Sequence, residues 1–503
     1  MKKFLCATYE GLNAKVVDVE LTLTKGLPSF SIVGSATALA SSGSTERIKS
    51  ALLSNEYKFP PKRITINLAP SDDFKKSGSQ FDLSIALLIL LEGSKEDFSD
   101  WFVFGELGLN GDIKENRQLY ALILSLANQG LIKKALVPKE ALEKLAKIPD
   151  IEFYGVSTLK EAREFFQNPQ EQKPTLNSGI DAPFFEINNK KYYYIKEYKE
   201  DFIDVKGQQI AKRAALIAAA GFHNILLVGS PGCGKSMIAN RLRYILPPMN
   251  MEDILEVAKL QTLNLQEPDF LPVRPMIATH CSSTPASIFG GGSGKIGEIG
   301  LANRGILFFD ELPHFSSKVL ESLREPLQEN KIRIGRVNQR MSYETNFLFV
   351  AAMNPCPCGN LLDANKECRC NELEIQKYKN RLSDPFLDRI DINVEMQEVS
   401  SDDKASLSSK EIHKEVVRAH IFAKKRDQEN FNGKMSDAEI EKYCLLSLEA
   451  KDVLDIAIAR FALSFRSIKK VQKVARTIAD LAESQMIEKE HLLEALSYRR
   501  RRR

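Results

Sequence analysis

A short stretch near the middle of the chain combines glycines, a lysine and a hydroxyl at the spacing of a phosphate-binding loop. Gly229 to Ser236 reads GSPGCGKS and fits the pattern G-x-x-x-x-G-K-[ST]. Glycines let backbone amides turn towards phosphate oxygens, the lysine neutralises phosphate charge, and the hydroxyl binds Mg²⁺. The sequence therefore predicts nucleotide contacts from Gly229, Ser230, Pro231, Gly232, Cys233, Gly234, Lys235, Ser236 and Met237.

A second candidate is a pair of carboxylates at the end of an apolar run. The stretch GILFFDEL, residues 305–312, places Asp310 and Glu311 after four apolar residues that predict a buried parallel strand. We expect Asp310 to bind Mg²⁺ together with Ser236, and Glu311 to act as the base that activates water. Without the phosphate-binding loop, a buried strand with a solvated acidic end would be the simpler interpretation.

Two further polar residues follow in the chain. Asn354 ends the apolar stretch NFLFVAAMN, where its amide can orient a water molecule, and Arg389 lies in the charged turn of RLSDPFLDRIDI, where a neighbouring subunit can receive it. Taken alone, the asparagine is typical of a turn and the arginine of an ordinary salt bridge. Their order after the loop and the carboxylates favours an ATP-hydrolysing site.

Half of the eight cysteines fall within fifteen residues, in CPCGNLLDANKECRC. In a reducing compartment this clustering favours a metal over disulfides, and four thiolates favour a structural zinc site. The alternative is a surface finger of unligated cysteines, because C-x-C is a tighter chelate than the usual C-x₂-C. The candidate zinc ligands are Cys356, Cys358, Cys368 and Cys370.

The elements that must position these residues indicate a multidomain α/β chain, since 503 residues exceed a single core. Residues 1–168 mix short β-type runs with helical patterns and predict an α/β domain. Residues 169–206 are rich in Pro, Asn, Gln and charge and predict a linker. The strand, loop and helix of the phosphate site lie within 207–398, and 399–503 is nearly all helical in pattern.

The composition is that of an ordinary globular protein, with 43% hydrophobic and 27% charged residues. The formal net charge of +4 falls to −1 once the five arginines at 499–503 are set aside, so nucleic-acid contacts must come from local basic patches. No apolar run reaches the roughly 20 residues of a membrane helix, and no export signal precedes the first domain. We therefore expect a cytoplasmic protein.

The intervening sequence resembles the AAA+ ATPases, and among them the magnesium-chelatase-like ComM/YifB family. The resemblance covers nearly the whole chain and rests on KGQQIAKRAALIAAAGFHNILLVGSPGCGKS, GGGSGKIGEIGLANRGILFFDELP, VLESLREPLQENKIRIGR, AAMNPCPCG, RLSDPFLDRIDI and KVARTIADL. It implies a Lon-protease-like α/β domain over 1–168, an AAA+ core with a parallel sheet over 207–398, and a helical lid over 399–503.

The resemblance also implies roles. Asn354 matches sensor 1, Arg389 matches an arginine finger that acts in trans, and Arg466 matches sensor 2 of the helical lid. A ring of six chains that binds ATP and Mg²⁺ is implied, because the finger stabilises phosphate charge only at a subunit interface.

The Lon-like domain makes a Ser/Lys peptidase the competing function for the N-terminal part. The resemblance places Gln80 where the serine nucleophile belongs and Tyr120 where the lysine belongs. An amide is no nucleophile here and a phenol is a poor base at neutral pH, so we predict an inactive domain. Ser77 and Ser79 lie close enough in sequence to keep a peptidase as an alternative.

The family implies a DNA-directed motor, a hexameric helicase that promotes branch migration during natural transformation and homologous recombination. Alternatives are a motor subunit of a magnesium chelatase and an AAA+ chaperone that remodels proteins. The basic residues of two inserts, together with the tail YRRRRR, are the candidate DNA contacts, although a solvated hairpin and a disordered tail explain them equally well. The insert residues are Lys295, Lys331, Arg333, Arg336 and Arg340.

Overall fold

The structure is a computed structural model. It describes residues 2–10, 13–34, 43–70, 76, 78–168, 173–291, 296–335, 340–363, 365–398 and 406–500, with the backbone alone for 117, 334–335 and 340–341. The chain forms two compact units: unit 1 comprises Met1–Asp181 and Ile254–Leu271, and unit 2 comprises Ala182–Asp253 and Pro272–Arg503. Among the described residues, no helix is both long and apolar enough to cross a bilayer.

Unit 1 contains a seven-stranded mixed sheet of order β3-β4-β2-β1-β5-β8-β9. Alternating residues bury one face, as in β4, where Ile64, Ile66 and Leu68 are fully buried. The strands are β1 (Lys3–Glu10), β2 (Asn13–Thr24), β3 (Ser29–Val33), β4 (Arg63–Ala69), β5 (Phe102–Val103), β8 (Lys134–Pro138) and β9 (Glu152–Val156), and β6 (Glu106–Leu107) pairs with β7 (Ile113–Lys114) outside this sheet.

The helices of unit 1 include one that is buried on all sides. Eight consecutive residues of α2 are buried, which is the pattern of a helix enclosed by the core. The helices are α1 (Ser44–Ser54), α2 (Asp82–Leu90), α3 (Arg117–Asn128), α4 (Leu142–Leu145) and α5 (Leu159–Gln167).

Unit 2 is built on a parallel five-stranded sheet of order β14-β15-β18-β12-β19. Its three inner strands, β15, β18 and β12, are continuous apolar runs, as expected of strands buried on both faces. Alternate residues enter two different apolar cores, one containing Leu227 and Phe308 and the other containing Leu226 and Phe309. The strands are β12 (Ile225–Val228), β14 (Met276–Thr279), β15 (Ile306–Phe309), β18 (Leu348–Met353) and β19 (Ile392–Glu395).

The range 169–206, which we predicted to be a linker, contains regular structure. The strands β10 (Phe184–Ile187) and β11 (Lys190–Tyr193) form a hairpin, and β11 also pairs with β13 (Met249–Asn250). Four-residue strands are too short to show a period, and the partner β13 is remote in sequence. The pattern therefore gave no signal for this hairpin.

The remaining described strands of unit 2 are β16 (Lys331–Gly335) and β17 (Arg340–Glu344), which pair antiparallel and form a hairpin after the carboxylate strand, in the second of the two basic inserts. Helices cover both faces of the parallel sheet. Up to the last strand the helices of unit 2 are α6 (Gln209–Gly221), α7 (Lys235–Leu242), α9 (Pro285–Phe289), α10 (Glu298–Leu301), α11 (Ser317–Ser322), α12 (Arg324–Glu329), α13 (Glu372–Lys379) and α14 (Asp384–Leu387). Helix α8 (Met251–Leu263) begins in unit 2 and belongs mainly to the segment Ile254–Leu271 of unit 1.

The C-terminal part of unit 2 is helical from Ser409 onwards. Serines cap several helix starts, including Ser408 and Ser464, which satisfies free N–H groups. Helices α15 and α18 share an apolar core with α6 and the sheet. The helices are α15 (Ser409–Lys425), α16 (Asp437–Tyr443), α17 (Leu448–Phe461), α18 (Phe465–Leu481) and α19 (Lys489–Ser497).

Candidate nucleotide-binding site

The predicted phosphate-binding loop connects β12 to α7. Gly232 and Gly234 have φ angles of 84° and 94°, and a Cβ atom built on either glycine would meet no atom within 4 Å. The Ser230 hydroxyl is buried and has no hydrogen-bond partner among the described residues. A buried polar group normally has a partner, so the orphaned hydroxyl and the open space beside the glycines fit the phosphates of a nucleotide.

Lys235 lies at the first position of α7, with its ammonium group inside the loop. Its Nζ donates to the carbonyl oxygens of Gly229 and Ser230, at 2.7 and 2.9 Å, and to Oδ1 of Asn354 at 3.1 Å. None of these three oxygens carries a full charge, so the positive charge of Lys235 remains available to phosphate. The contact also places Asn354, at the end of β18, beside the loop.

The two carboxylates follow β15 at the same edge of the sheet. The Ser236 hydroxyl donates to Oδ2 of Asp310 at 3.0 Å. Two adjacent oxygen ligands suit Mg²⁺, so these residues fit the metal that the sequence predicts. Glu311 is exposed and has a φ of 50°, and its backbone N–H donates to Oδ1 of Asp310 at 2.9 Å. This left-handed turn breaks the strand alternation that would otherwise separate neighbouring side chains.

One residue that supports the loop was not predicted as a site residue. Nε2 of Gln208 donates to the carbonyl oxygen of Cys233 at 3.1 Å and also to the carbonyl oxygen of Gln397, just beyond β19. Gln208 thus ties the loop to the neighbouring strand end. The sequence offers only a polar pair as a signal, Gln208 and Gln209, where α6 begins.

The two predicted arginines lie away from this edge. Strands β12 and β19 are parallel, with Ile225 opposite Ile392 and Val228 opposite Glu395. Arg389 precedes β19, whereas the loop follows β12, so Arg389 and the loop lie at opposite ends of the strands. At about 3.3 Å per residue, the four paired residues alone separate these ends by about 10 Å.

Neither arginine contacts the phosphate-binding loop of its own chain in the described structure. Nη1 of Arg389 donates to the Pro385 carbonyl oxygen at 2.6 Å, and Nη2 donates to Oε1 of Gln328 at 2.7 Å. Arg466, at the start of α18, donates to the same oxygen at 3.4 Å. The structure therefore brings Lys235, Ser236, Asp310 and Asn354 together, and it brings Arg389 and Arg466 together elsewhere.

The four clustered cysteines converge. Their Sγ atoms all lie within 4.8 Å of one another, and three of the pairs are 3.4 to 3.7 Å apart. Tetrahedral zinc with Zn–S bonds of about 2.3 Å requires Sγ atoms about 3.8 Å apart, whereas a disulfide requires about 2.05 Å. Hydrogen bonds from the backbone of Asn360 and Arg369 lower the pKa of Cys358 to about 6, whereas burial and the neighbouring thiols raise the pKa values of Cys368 and Cys370. The geometry and chemistry of the cluster fit zinc.

The cysteine finger packs directly on the phosphate-binding loop. Gly359 has a φ of 82°, and a Cβ atom built there would lie 2.6 Å from Cδ of Pro231. Only a residue without a side chain allows this approach. The finger also follows Asn354 in the chain. A change in the fold of the finger would therefore affect both the phosphate-binding loop and Asn354.

Comparison with known proteins identifies the family. Residues 201–404 match the family described as magnesium chelatase, subunit ChlI, residues 19–141 match subunit ChlI of Mg-chelatase, and residues 406–499 match its C-terminal family. The chain is 36% identical over 501 residues to competence protein ComM of Haemophilus influenzae, covering 97% of this chain and 95% of that protein. It is 33% identical to YifB of Salmonella typhimurium with the same coverage. The chain belongs to the magnesium-chelatase-like ComM/YifB family. The predicted family is thereby confirmed, and it is a family of AAA+-like ATPases, which implies the use of a nucleotide and Mg²⁺.

The candidate DNA contacts of this ComM/YifB chain are described in part. Lys331 and Arg333 are exposed on β16, and Arg333 lies 3.7 Å from the Glu329 carboxylate. Arg340 is the first residue of β17, and the structure describes only its backbone. Lys295 and Arg336, and the last three arginines of the tail, lie outside the described residues.

In unit 1 the residues at the predicted peptidase positions have structural partners. Gln80 is buried, with Nε2 donating to the Ala7 carbonyl oxygen at 3.3 Å. The Tyr120 hydroxyl donates to Glu115 at 2.7 Å, and burial raises the pKa of Tyr120. Ser79 donates to Glu106 and accepts from Asn116 at 3.2 Å, and Ser77 lies outside the described residues. These recorded contacts of Ser79 involve no lysine, so they give no support to a Ser/Lys peptidase.

Proposed function

We propose that this chain is an ATP-hydrolysing motor that assembles into a ring of six and acts on DNA as a branch-migration helicase. The observation that carries the proposal is the separation of Arg389 from the phosphate-binding loop of its own chain. An arginine at the opposite end of the strands serves a nucleotide only if that nucleotide is bound to another copy. Hydrolysis then requires neighbouring chains.

Within one pocket, each residue has a separable task. Lys235 neutralises the phosphate charge, and Ser236 and Asp310 hold Mg²⁺, which shields the phosphates when it is bound. Glu311 accepts the proton of the attacking water, and Asn354 orients that water. Arg389 of the neighbouring copy stabilises the charge that develops on the γ-phosphate, and Arg466 of that copy assists it.

The proposal that the load is DNA is supported by the exposed cations of the β16–β17 hairpin and by the relative that is named a competence protein. A ring carries one copy of the hairpin from each chain, so two cations per chain become twelve around six chains. Such a stripe suits the backbone of single-stranded DNA.

We also propose that Cys356, Cys358, Cys368 and Cys370 bind a structural zinc ion. Metal analysis of protein purified without chelators should give about one zinc per chain. A content below about 0.3 per chain would contradict the site.

The deciding experiment compares what stimulates ATP hydrolysis. We expect single-stranded DNA to raise the rate, with a steep loss as salt increases, because cation–phosphate contacts release counterions. Reversing both hairpin charges, Lys331→Glu with Arg333→Glu, should remove the stimulation and spare the basal rate. Exposed Lys318 and Lys451, each changed to Glu, provide the matched control for the loss of positive charge.

The same assay separates the alternatives. Stimulation by an unfolded protein and not by DNA would indicate a protein remodeller. The chelatase motor has specific support in the description of the matched family, and it would require stimulation by partner subunits that carry a porphyrin substrate. Either result in the absence of a DNA response would contradict the helicase proposal.

A further inference from the structure

Gln328 holds two guanidinium groups at once. It is exposed near the end of α12, and its Oε1 accepts from Arg389 at 2.7 Å and from Arg466 at 3.4 Å. The two arginines lie 61 and 138 residues further along the chain. Three separate elements, α12, the turn after α14 and the start of α18, therefore converge on one amide oxygen.

This environment differs from that of other arginines in the same unit. Arg476 pairs with Asp480 at 3.0 Å and Arg274 with Asp253 at 3.1 Å, whereas Arg389 and Arg466 have no carboxylate partner among the described residues. Burial lowers the pKa of Arg389, and the neighbouring Arg466 and Arg324 lower it further, whereas the nearby carboxylates of Asp388 and Glu321 oppose the shift without forming an ion pair with Arg389. Two like charges that share one neutral oxygen repel each other, so an anion in direct contact with both guanidinium groups would relieve the repulsion.

The backbone around the pair is fixed independently of Gln328. Nδ2 of Asn224 donates to the Arg389 carbonyl oxygen at 2.9 Å, and Nζ of Lys470 donates to the Ile390 carbonyl oxygen at 2.9 Å. Lys470 is one helical turn beyond Arg466 on α18. These two hydrogen bonds hold the backbone at Arg389 and tie it to α18, which carries Arg466. Gln328 holds the guanidinium groups of the two arginines together.

We propose that Gln328 is a positioning residue that holds Arg389 and Arg466 side by side, so that both enter the nucleotide pocket of the neighbouring chain as one unit. This inference rests on the proposed function, because it requires that the pocket belongs to another copy. A neutral amide suits the task. Its hydrogen bonds orient the guanidinium groups yet are weak enough to be exchanged for phosphate oxygens, whereas a carboxylate would compete with the phosphate.

The test uses mixed assemblies in which each chain has one role. A donor chain carries Glu311→Gln, so it cannot activate water in its own pocket but supplies its arginines to a neighbour. An acceptor chain carries Arg389→Ala, so its own pocket is intact but it supplies no finger. Each chain alone should be nearly inactive, and their mixture should regain ATPase activity in the acceptor pockets.

Substitutions at Gln328 are then placed in one chain at a time. In the donor, Gln328→Leu removes the acceptor and should lower kcat of the mixture about five- to tenfold, the worth of a single hydrogen bond. Gln328→Glu should lower kcat at least as much, because a carboxylate retains the guanidinium groups. KM for ATP should be unchanged, since the acceptor pocket binds the nucleotide. The matched control is Gln376→Leu in the donor, an exposed glutamine on α13.

The outcomes separate this inference from the proposed function. A loss of kcat that is larger with the change in the donor than in the acceptor, in assemblies of normal size, supports the positioning role. Equal losses from both chains, or no loss from the donor, would overturn that role and leave the trans arrangement standing. A mixture that regains no activity would overturn the trans arrangement and the inference with it.

Discussion

At the residue scale, Lys235 is the side chain on which the phosphate site depends most directly. Its ammonium group contacts three neutral oxygens, two of the loop and one of Asn354, and no other residue of GSPGCGKS carries a positive charge. Ser230 and Ser236 supply hydroxyls on either side. The chemistry of this site is thus concentrated in a few adjacent residues.

The first prediction concerns that charge. Lys235→Ala should abolish ATP hydrolysis and extension of strand exchange together, because phosphate loses its principal cation. Both activities are to be measured on protein whose thermal unfolding is checked first. Lys318→Ala, an exposed lysine on α11, serves as the control and should retain both activities. Unwinding that persists without hydrolysis would refute the assignment.

A second prediction at this scale concerns a buried carboxylate in unit 1. Asp82 is fully buried and pairs with Nε of Arg47 at 2.7 Å. Burial raises the pKa of Asp82 from 3.8 to about 6, although hydrogen bonds from Arg47 oppose the shift. Because the folded pKa is raised, the folded state binds more protons than the unfolded state between these values.

The stability that Asp82 contributes should therefore be present below about pH 4 and be lost as the pH rises through about 6. The measurement is the free energy of unfolding of the wild type minus that of Asp82→Asn, followed from pH 4 to pH 7. This difference should fall with increasing pH. A difference that grows over the same range would show that the ion pair outweighs burial.

At the scale of elements, the cysteine finger and the phosphate-binding loop form one packed unit through Gly359 and Pro231. Gly359→Ala places a methyl group 2.6 Å from Cδ of Pro231 and at an unfavourable φ of 82°. The strain, about 1 to 3 kcal/mol, falls on the loop, so KM for ATP should rise several-fold.

The control for this change is Gly93→Ala, where a Cβ meets no atom within 4 Å and φ is not positive. Zinc content should be the same in both variants. Cys368→Ser should instead lower zinc content, and it should impair nucleotide binding as Gly359→Ala does. Normal ATP affinity in Gly359→Ala would show that the loop adapts to the added methyl group.

Local elements were the part of the fold that sequence could predict. The apolar runs of β12, β15 and β18 and the glycine pattern between β12 and α7 are continuous in sequence, so their structure and shared edge follow from pattern alone. The contacts of Gln208 and Gln328 could not be predicted in this way, since their partners lie on distant segments. The hairpin β10–β11 was missed for the same reason, because β13, the strand that pairs with β11, is remote in sequence.

At the scale of the whole molecule, the proposed activity belongs to an assembly and not to one chain. ATPase rate per chain should therefore rise with protein concentration as the ring forms, and it should fall towards zero on dilution. The measurement pairs ATPase rates with particle mass at each concentration. Arg389→Ala should assemble as the wild type does and yet remain slow at every concentration. A monomer that hydrolyses ATP at the full rate would refute the trans arrangement.

The opposite placement of Arg389 and the phosphate-binding loop has a consequence for symmetry. In the proposed assembly each chain offers Arg389 at one end of the strands and a nucleotide pocket at the other, so contacts between chains would be heterologous. In two chains joined in this way, one pocket receives no arginine from a neighbour and one Arg389 faces no pocket. Such a dimer would hydrolyse ATP in only one of its two pockets. Only a closed circle satisfies every pocket, and an open series of chains always ends in one idle site.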